Sequence, residues 1–253
     1  VAWLLNRQWR QRGHIAALYG QLENLNRNRS ELLAAACHDL RQPAFSLSIL
    51  SEVATNQPQE ADRYLGDIRR NSLLLSDMLS ELLDLTRLER ADYPVSIGDV
   101  ALQPLLEEVQ SQYAGQCARK GLCLNVESTS CWVRSDPQLL RRVLFNLVSN
   151  AVKYTDAGHV TVRVHGADDA VRIEVADSGP GLDAAQREHL FEPFFTTKRE
   201  GNGLGLWISR SLLERYGGEL EACPLADAQT GGACFRIRLP STPLPPLLHS
   251  HPG

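Results

Sequence analysis

The chain opens on only five consecutive apolar residues, Val1–Leu5, where a helix that crosses a bilayer needs about 20. Lysine is nearly missing: of 26 basic residues all but Lys120, Lys153 and Lys198 are arginine. No strong charge of either sign is present, with a net charge of −4 and a pI near 6.0 over 253 residues. The arginines are scattered, with no basic stripe interleaved with aromatics, so a nucleic-acid partner is not expected. The six cysteines form no CxxC pair and no signal peptide is visible, which favours reduced thiols over a disulfide framework. Hydrophobic residues at 43% and charged residues at 22% exclude a wholly disordered or collagen-like chain.

Glycine and proline are scarce in one half only. Residues 1–95 hold three of the 18 glycines and three of the 13 prolines. That half reads as long helices, and the remainder as a turn-rich mixed domain. Arg7, Arg10 and Arg12 follow the apolar start. Two readings stay open there: the cut end of a membrane helix with an arginine-rich flank, or a frayed helical start. From Ile15 through Leu40 to Val53, apolar residues recur at helical spacing, and a break follows at 55–59. A second helix over about 60–89 carries Tyr64, Ile68, Leu75, Met78, Leu82, Leu85 and Leu88 as a stripe. A single helical hairpin cannot cover both stripes, so pairing with a second copy into a four-helix bundle is expected. Beyond Pro94 the period changes. Helices are expected at 102–119, 136–154 and 206–215, and strands at 122–127, 132–134, 160–165, 171–176 and 234–239. This order predicts helices layered on one face of a mixed sheet. The tail, 241–253, has no periodicity.

Four motifs carry chemistry. In the first, His38 is followed by Asp39, and Pro43 lies within an otherwise continuous helical pattern. A proline there removes a backbone donor and crowds the preceding turn, at about 3 kcal/mol in a regular helix. A bend at that point would open the surface around His38. A neutral imidazole is a competent nucleophile, and Asp39 could fix its tautomer. In the second, Asn146, Asn150 and Lys153 share a helical face, with Tyr154 beside them. Amide oxygens suit Mg²⁺, a lysine suits phosphate and an aromatic ring can abut a purine. Val143, Leu144, Leu147, Val148 and Val152 would face inward. In the third, Asp177, Gly179 and Gly181 follow directly on a strand, where a carboxylate can accept from an exocyclic amine and the glycines admit a flat ligand. In the fourth, Phe191, Phe194, Phe195, Thr197 and Lys198 lead into Gly201, Gly203 and Gly205 at a helix start, an arrangement that suits phosphate. Residues 182–203 would form a mobile lid pinned by the phenylalanines. This glycine run does not open a βαβ unit, which argues against a dinucleotide loop.

Together the motifs resemble the sensor histidine kinases of two-component signalling, over about residues 30–240. Residues 38–43 resemble the family's phosphoacceptor box, 146–154 its N box, 177–181 its G1 box, 191–195 its F box and 201–205 its G2 box. The resemblance implies a dimerising helical hairpin, a four-helix bundle in the dimer, followed by an α/β sandwich of the GHKL (Bergerat) ATPase type. It implies residues 1–29 as a linker helix beside the membrane, 30–92 as the dimerisation and phosphotransfer hairpin, 93–240 as the ATP-binding domain and 241–253 as a flexible tail. His38 would be the phosphorylated residue and Asp39 its acidic partner. Asn150, helped by Asn146, would hold Mg²⁺ on the phosphates of ATP, and Lys153 and Lys198 would contact phosphate oxygens. Tyr154 would lie against the nucleotide and Asp177 would bind the adenine amine. Phe195, Thr197 and Leu204 would join Gly179, Gly181, Gly201, Gly203 and Gly205 in the nucleotide site.

The implied activity is ATP-dependent autophosphorylation, with transfer from His38 to an aspartate of a response regulator. The implied setting is a homodimer on the cytoplasmic side of a bacterial inner membrane, anchored by a segment N-terminal to this chain. Family members with phosphatase activity often carry Thr or Asn four residues after the histidine; here Gln42 stands there. No second aspartate-bearing α/β unit follows, so an attached receiver domain is not expected within these residues. Two other readings are a plain ATPase of the gyrase or MutL kind and a nucleotide-binding scaffold without turnover. Those ATPases carry a glutamate on the N-box helix to activate water, and Asn146 here is an amide that cannot take a proton.

Overall fold

The computed structural model describes residues 37–38, 40–56, 61–89, 96–167, 169–197, 203–223 and 231–241. The chain divides into two compact units, Val1–Leu83 and Asp84–Gly253. In the first, residues 37–38 are helical, and helix α1 (residues 40–56) runs unbroken through Pro43, which is buried. Helix α2 follows over Ala61–Glu89. The expected stripe is present: Leu47, Leu50, Val53, Tyr64, Ile68, Leu75 and Leu82 are half-buried and Met78 is buried. Leu85 and Leu88 lie outside the described side chains. A second apolar set faces outward: Phe45 is 66% exposed, Leu73 57% and Leu83 58%, with Ile49, Leu65 and Leu79 also exposed. Among the described residues, no helix is long and apolar enough to cross a membrane.

The second unit is a layer of helices on a mixed sheet, as expected. Its strands are β1 (Gly98–Ala101), β2 (Leu122–Val126), β3 (Trp132–Ser135), β4 (Gly158–Gly166), β5 (Ala170–Asp177), β6 (Glu219–Cys223) and β7 (Cys234–Pro240). Its helices are α3 (Leu102–Lys120), α4 (Pro137–Tyr154), α5 (Ala184–His189) and α6 (Gly205–Arg215). Five strands form one sheet in the order β2-β4-β5-β7-β6, with β2 parallel to β4 and the other pairs antiparallel. β1 and β3 form a separate antiparallel pair. The short elements β1, β6 and α5 are not legible in the sequence. β6 reads Glu-Leu-Glu-Ala-Cys, and only its pairing with β7 makes it a strand.

The site depends on two elements. α4 buries Leu140, Val143, Leu144, Leu147, Val148, Ala151 and Val152, one face at three- and four-residue steps. The five inward positions expected on this helix are all in that set. Asp136 caps its start, Oδ1 accepting from the amides of Gln138 (2.8 Å) and Leu139 (3.1 Å), with Pro137 in the first turn. β5 alternates: Val171, Ile173 and Val175 point into the core. The same phase turns Asp177, last in the strand, inward as well.

Lys120, at the end of α3, closes the other end of α4. Its Nζ donates to the carbonyls of Val152 (2.8 Å), Lys153 (3.0 Å) and Thr155 (3.2 Å). These oxygens would otherwise lack helical partners, and a cation suits the negative end of the helix dipole. Lys120→Met keeps the stem and removes the donors. It should lower the stability of this unit by about 1–2 kcal/mol, read as a fall in Tm on thermal unfolding. An unchanged Tm would show the cap to be idle.

Cys37, Cys117, Cys123 and Cys131 are free, but Cys223 and Cys234 form a disulfide, which corrects the expectation of reduced thiols for that pair. Their spacing gives no CxxC signal. The register of β6 on β7 sets them directly opposite, so that proximity follows from strand pairing.

Candidate functional site

The second unit gathers its motif residues around the ends of α4, β5 and α6. Asp177 is 8% exposed. Its Oδ1 accepts from the amide of Gly179 (2.8 Å) and that of Ala233 (3.3 Å), and its own amide donates to the Ala233 carbonyl (2.9 Å). Among the described residues, no donor reaches Oδ2. The carboxylate is therefore fixed by one oxygen and offers the other. Burial pushes its carboxyl above the ordinary range, against the pull of the Gly179 and Ala233 amides and of His159. A perturbed carboxylate at a strand end, with one acceptor unspent, suits recognition of an amine.

The chain closes on Asp177 at Gly231–Ala233, a segment the motif reading missed. Gly232 has φ +104, and a Cβ there would lie 1.8 Å from the Asp177 carbonyl oxygen. No other residue fits. Gly181 faces the Gly232 carbonyl from the other side. A sequence signal did exist: paired glycines directly before a strand mark a close backbone approach.

Asn146 and Asn150 are half-buried on α4, and Lys153 is exposed. The Lys153 Nζ lies 5.5 Å from the centre of the half-buried Tyr154 ring. Asn146 Nδ2 donates to Ser209 Oγ on α6 at 2.8 Å, and a Cβ on Gly205 would lie 2.8 Å from Asn146 Oδ1. The N-box helix thus packs directly on the glycine that starts α6, and Ser209 is the link the sequence did not suggest. No side chain caps α6. Leu204, just before it, is buried in the core.

Residues 182–197 and 203 of the expected lid are described. α5 carries a capping box between Asp183 and Gln186, and Phe191 and Phe194 pack against the core. Phe195 is half-buried with its ring 5.7 Å from that of His189, and Thr197 is exposed. Gly203 comes up against the backbone of Phe194 and Phe195, so the F box and the last glycine box meet. Lys198 and Gly201 lie outside the described residues.

In the first unit His38 is exposed in the helical start ahead of α1. Gln42, one turn on, is exposed and Pro43 buried. Asp39 lies outside the described residues.

A carboxylate at the end of an inner strand, an asparagine-bearing helix and a glycine-led helix together define a nucleotide-binding α/β sandwich. A family model for the Histidine kinase-, DNA gyrase B-, and HSP90-like ATPase matches residues 135–243, and one for the His Kinase A (phospho-acceptor) domain matches residues 28–91. The chain belongs to the sensor histidine kinases. It is 32% identical over 231 residues to the sensor protein TorS of Escherichia coli, across 87% of this chain and 25% of TorS, so it spans about a quarter of that relative's length. The crystal structure of full-length ShkA in complex with AMPPNP is similar with a TM-score of 0.61 and 27% identity, over 84% of this chain and 46% of that one. Histidine kinase ThkA in complex with response regulator protein TrrA shares the fold, with a TM-score of 0.66 and 23% identity, over 84% of this chain and 61% of that one.

Proposed function

We propose that this chain is the catalytic core of an ATP-dependent protein-histidine kinase, with residues 30–92 as its dimerising phosphoacceptor domain and 93–240 as its ATP-binding domain. The observation that carries the reading is Asp177, buried, tied by Oδ1 to two backbone amides and open at Oδ2 to an adenine amine. Tyr154 lies against the base, and Gly179, Gly181, Phe195, Thr197, Gly201, Gly203, Leu204 and Gly205 shape the walls. Lys153 and Lys198 offset phosphate charge, and the start of α6 offers backbone N–H groups to the same oxygens.

Among the described residues no cluster of His, Cys, Asp or Glu could hold a metal alone. The donor set fits an ion already carried by phosphate oxygens. The amide oxygen of Asn150, with that of Asn146 beside it, would complete the ligation of Mg²⁺. The ion would supply charge neutralisation on the phosphates.

A neutral ring nitrogen of His38, its tautomer held by Asp39, attacks the terminal phosphorus of ATP; the bond to the bridging oxygen breaks, ADP leaves, and the phosphoryl group then passes to an aspartate carboxylate of a response regulator, which frees the histidine. TrrA, bound to ThkA, is a protein of that kind. The exposed Phe45, Ile49, Leu65, Leu73, Leu79 and Leu83 support a second copy as the cover for the helical unit. The full-length protein would sit at a bacterial inner membrane, held by a segment ahead of this chain. Incubation with γ-labelled ATP and Mg²⁺ tests the reading: the protein should gain an acid-labile, alkali-stable label. Nucleotide binding with no label would favour a scaffold.

A further inference from the structure

Among the described residues, one buried side-chain polar atom has no hydrogen-bond partner: Thr155 Oγ1. Thr155 is fully buried where α4 ends. Its backbone is committed, the amide donating to the Ala151 carbonyl (3.1 Å) and the carbonyl accepting from Lys120 Nζ (3.2 Å). Only the hydroxyl is idle. Orphaned buried hydroxyls are rare and destabilising, and a valine would fill the same space without the penalty.

The neighbourhood supplies a reason for the hydroxyl. A Cβ built on Gly179 would lie 2.9 Å from Asp177 Oδ1, 3.0 Å from the Tyr154 carbonyl and 3.3 Å from Thr155 Oγ1. The missing side chain of Gly179 therefore leaves one small gap flanked by the hydroxyl and the carboxylate. Oδ1 already accepts from Gly179 and Ala233, and a carboxylate has about four acceptor positions in all. The bond from Ala233 to Oδ1 is long at 3.3 Å, so this oxygen, which faces the gap, can exchange that donor for the hydroxyl.

We propose that Thr155 is a positioning residue of the purine pocket, whose hydroxyl donates to the Asp177 carboxylate when an exocyclic amine occupies its outer oxygen. The proposal rests on the reading that this unit binds an adenine nucleotide at Asp177. The hydroxyl is held in reserve in the free protein and used in the bound one, so its removal should move stability and affinity in opposite directions.

The test is calorimetric titration of the whole chain with Mg-ADP and Mg-IDP, whose base carries an oxygen in place of the amine, alongside thermal unfolding without nucleotide. Thr155→Val should raise the apo Tm by roughly 2–4 °C. It should also weaken ADP about tenfold and leave IDP unchanged, so that the preference for ADP shrinks by the same factor. Thr155→Ser and Thr155→Ala form a second pair differing only by the hydroxyl, which guards against misfolding of the valine variant; serine should bind ADP several-fold more tightly than alanine. Equal binding by that pair, or equal loss of ADP and IDP in Thr155→Val, overturns the proposal in a wild type that binds ADP. A wild type that binds no ADP overturns it together with the nucleotide reading beneath it.

Discussion

Asp177→Asn should invert the base preference of the second unit. The two amides that converge on Oδ1 donate and so need an oxygen there, and the asparagine must turn its carbonyl toward Gly179 and Ala233. Its NH₂ then takes the place of Oδ2. An adenine amine meets a donor where it had an acceptor, and a purine with a carbonyl at that position gains one. ATP affinity should fall about a hundredfold, the cost of losing a hydrogen bond to a charged group and leaving donors opposed. Binding of the inosine nucleotide should hold or improve. Equal loss of both would mean that Asp177 supports the fold and does not read the base.

The same substitution has a stability signature. Burial raises the Asp177 carboxyl above its unfolded value, so the folded unit keeps this proton to higher pH than the unfolded chain does. Where one state is protonated and the other is not, stability falls as pH rises. The apo wild type should therefore lose stability as pH climbs through the interval from the ordinary aspartate value to the raised one. Asp177→Asn has no such proton, and its Tm should be flatter over that interval. Parallel Tm–pH curves for the two proteins would contradict the role of burial.

His38→Gln should abolish the covalent label while leaving nucleotide affinity within twofold. Glutamine is polar, of similar reach and tolerated in helices, but its amide nitrogen is no nucleophile. His38 is exposed, so little stability is at stake. It also belongs to a different compact unit from Asp177, Asn150 and the glycine boxes, so the nucleotide site should be untouched. Steady phosphate release at the wild-type rate by this variant would favour the plain ATPase reading. The amide at Asn146, given through Nδ2 to Ser209, argues against that outcome because it cannot accept a proton from water.

Much of the site was legible because its signals are local. The inward face of α4 follows from apolar residues at helical spacing. The alternation of β5 both builds the core and delivers Asp177 to it. Other participants carry no local mark. Lys120 lies in no motif, and its bonds to the end of α4 span more than thirty residues of chain. Ser209 meets Asn146 across 63 residues, and Ala233 meets Asp177 across 56. Cys223 and Cys234 read as unrelated thiols until β6 and β7 pair.

Periodicity and glycine placement, read along the chain alone, determined the expectation of a helical first half and a mixed sheet, and the positions of the four motifs. The signals for each are carried by residues close together in the chain, although the pairing of the strands is not. Tertiary structure alone decided that Gly232 closes on Asp177, that Thr155 keeps an idle hydroxyl beside that carboxylate, and that Lys120 caps the asparagine-bearing helix. Those contacts depend on which strands pair and which helix ends meet, and a buried polar atom has a satisfied or unsatisfied state only after the whole core has closed around it.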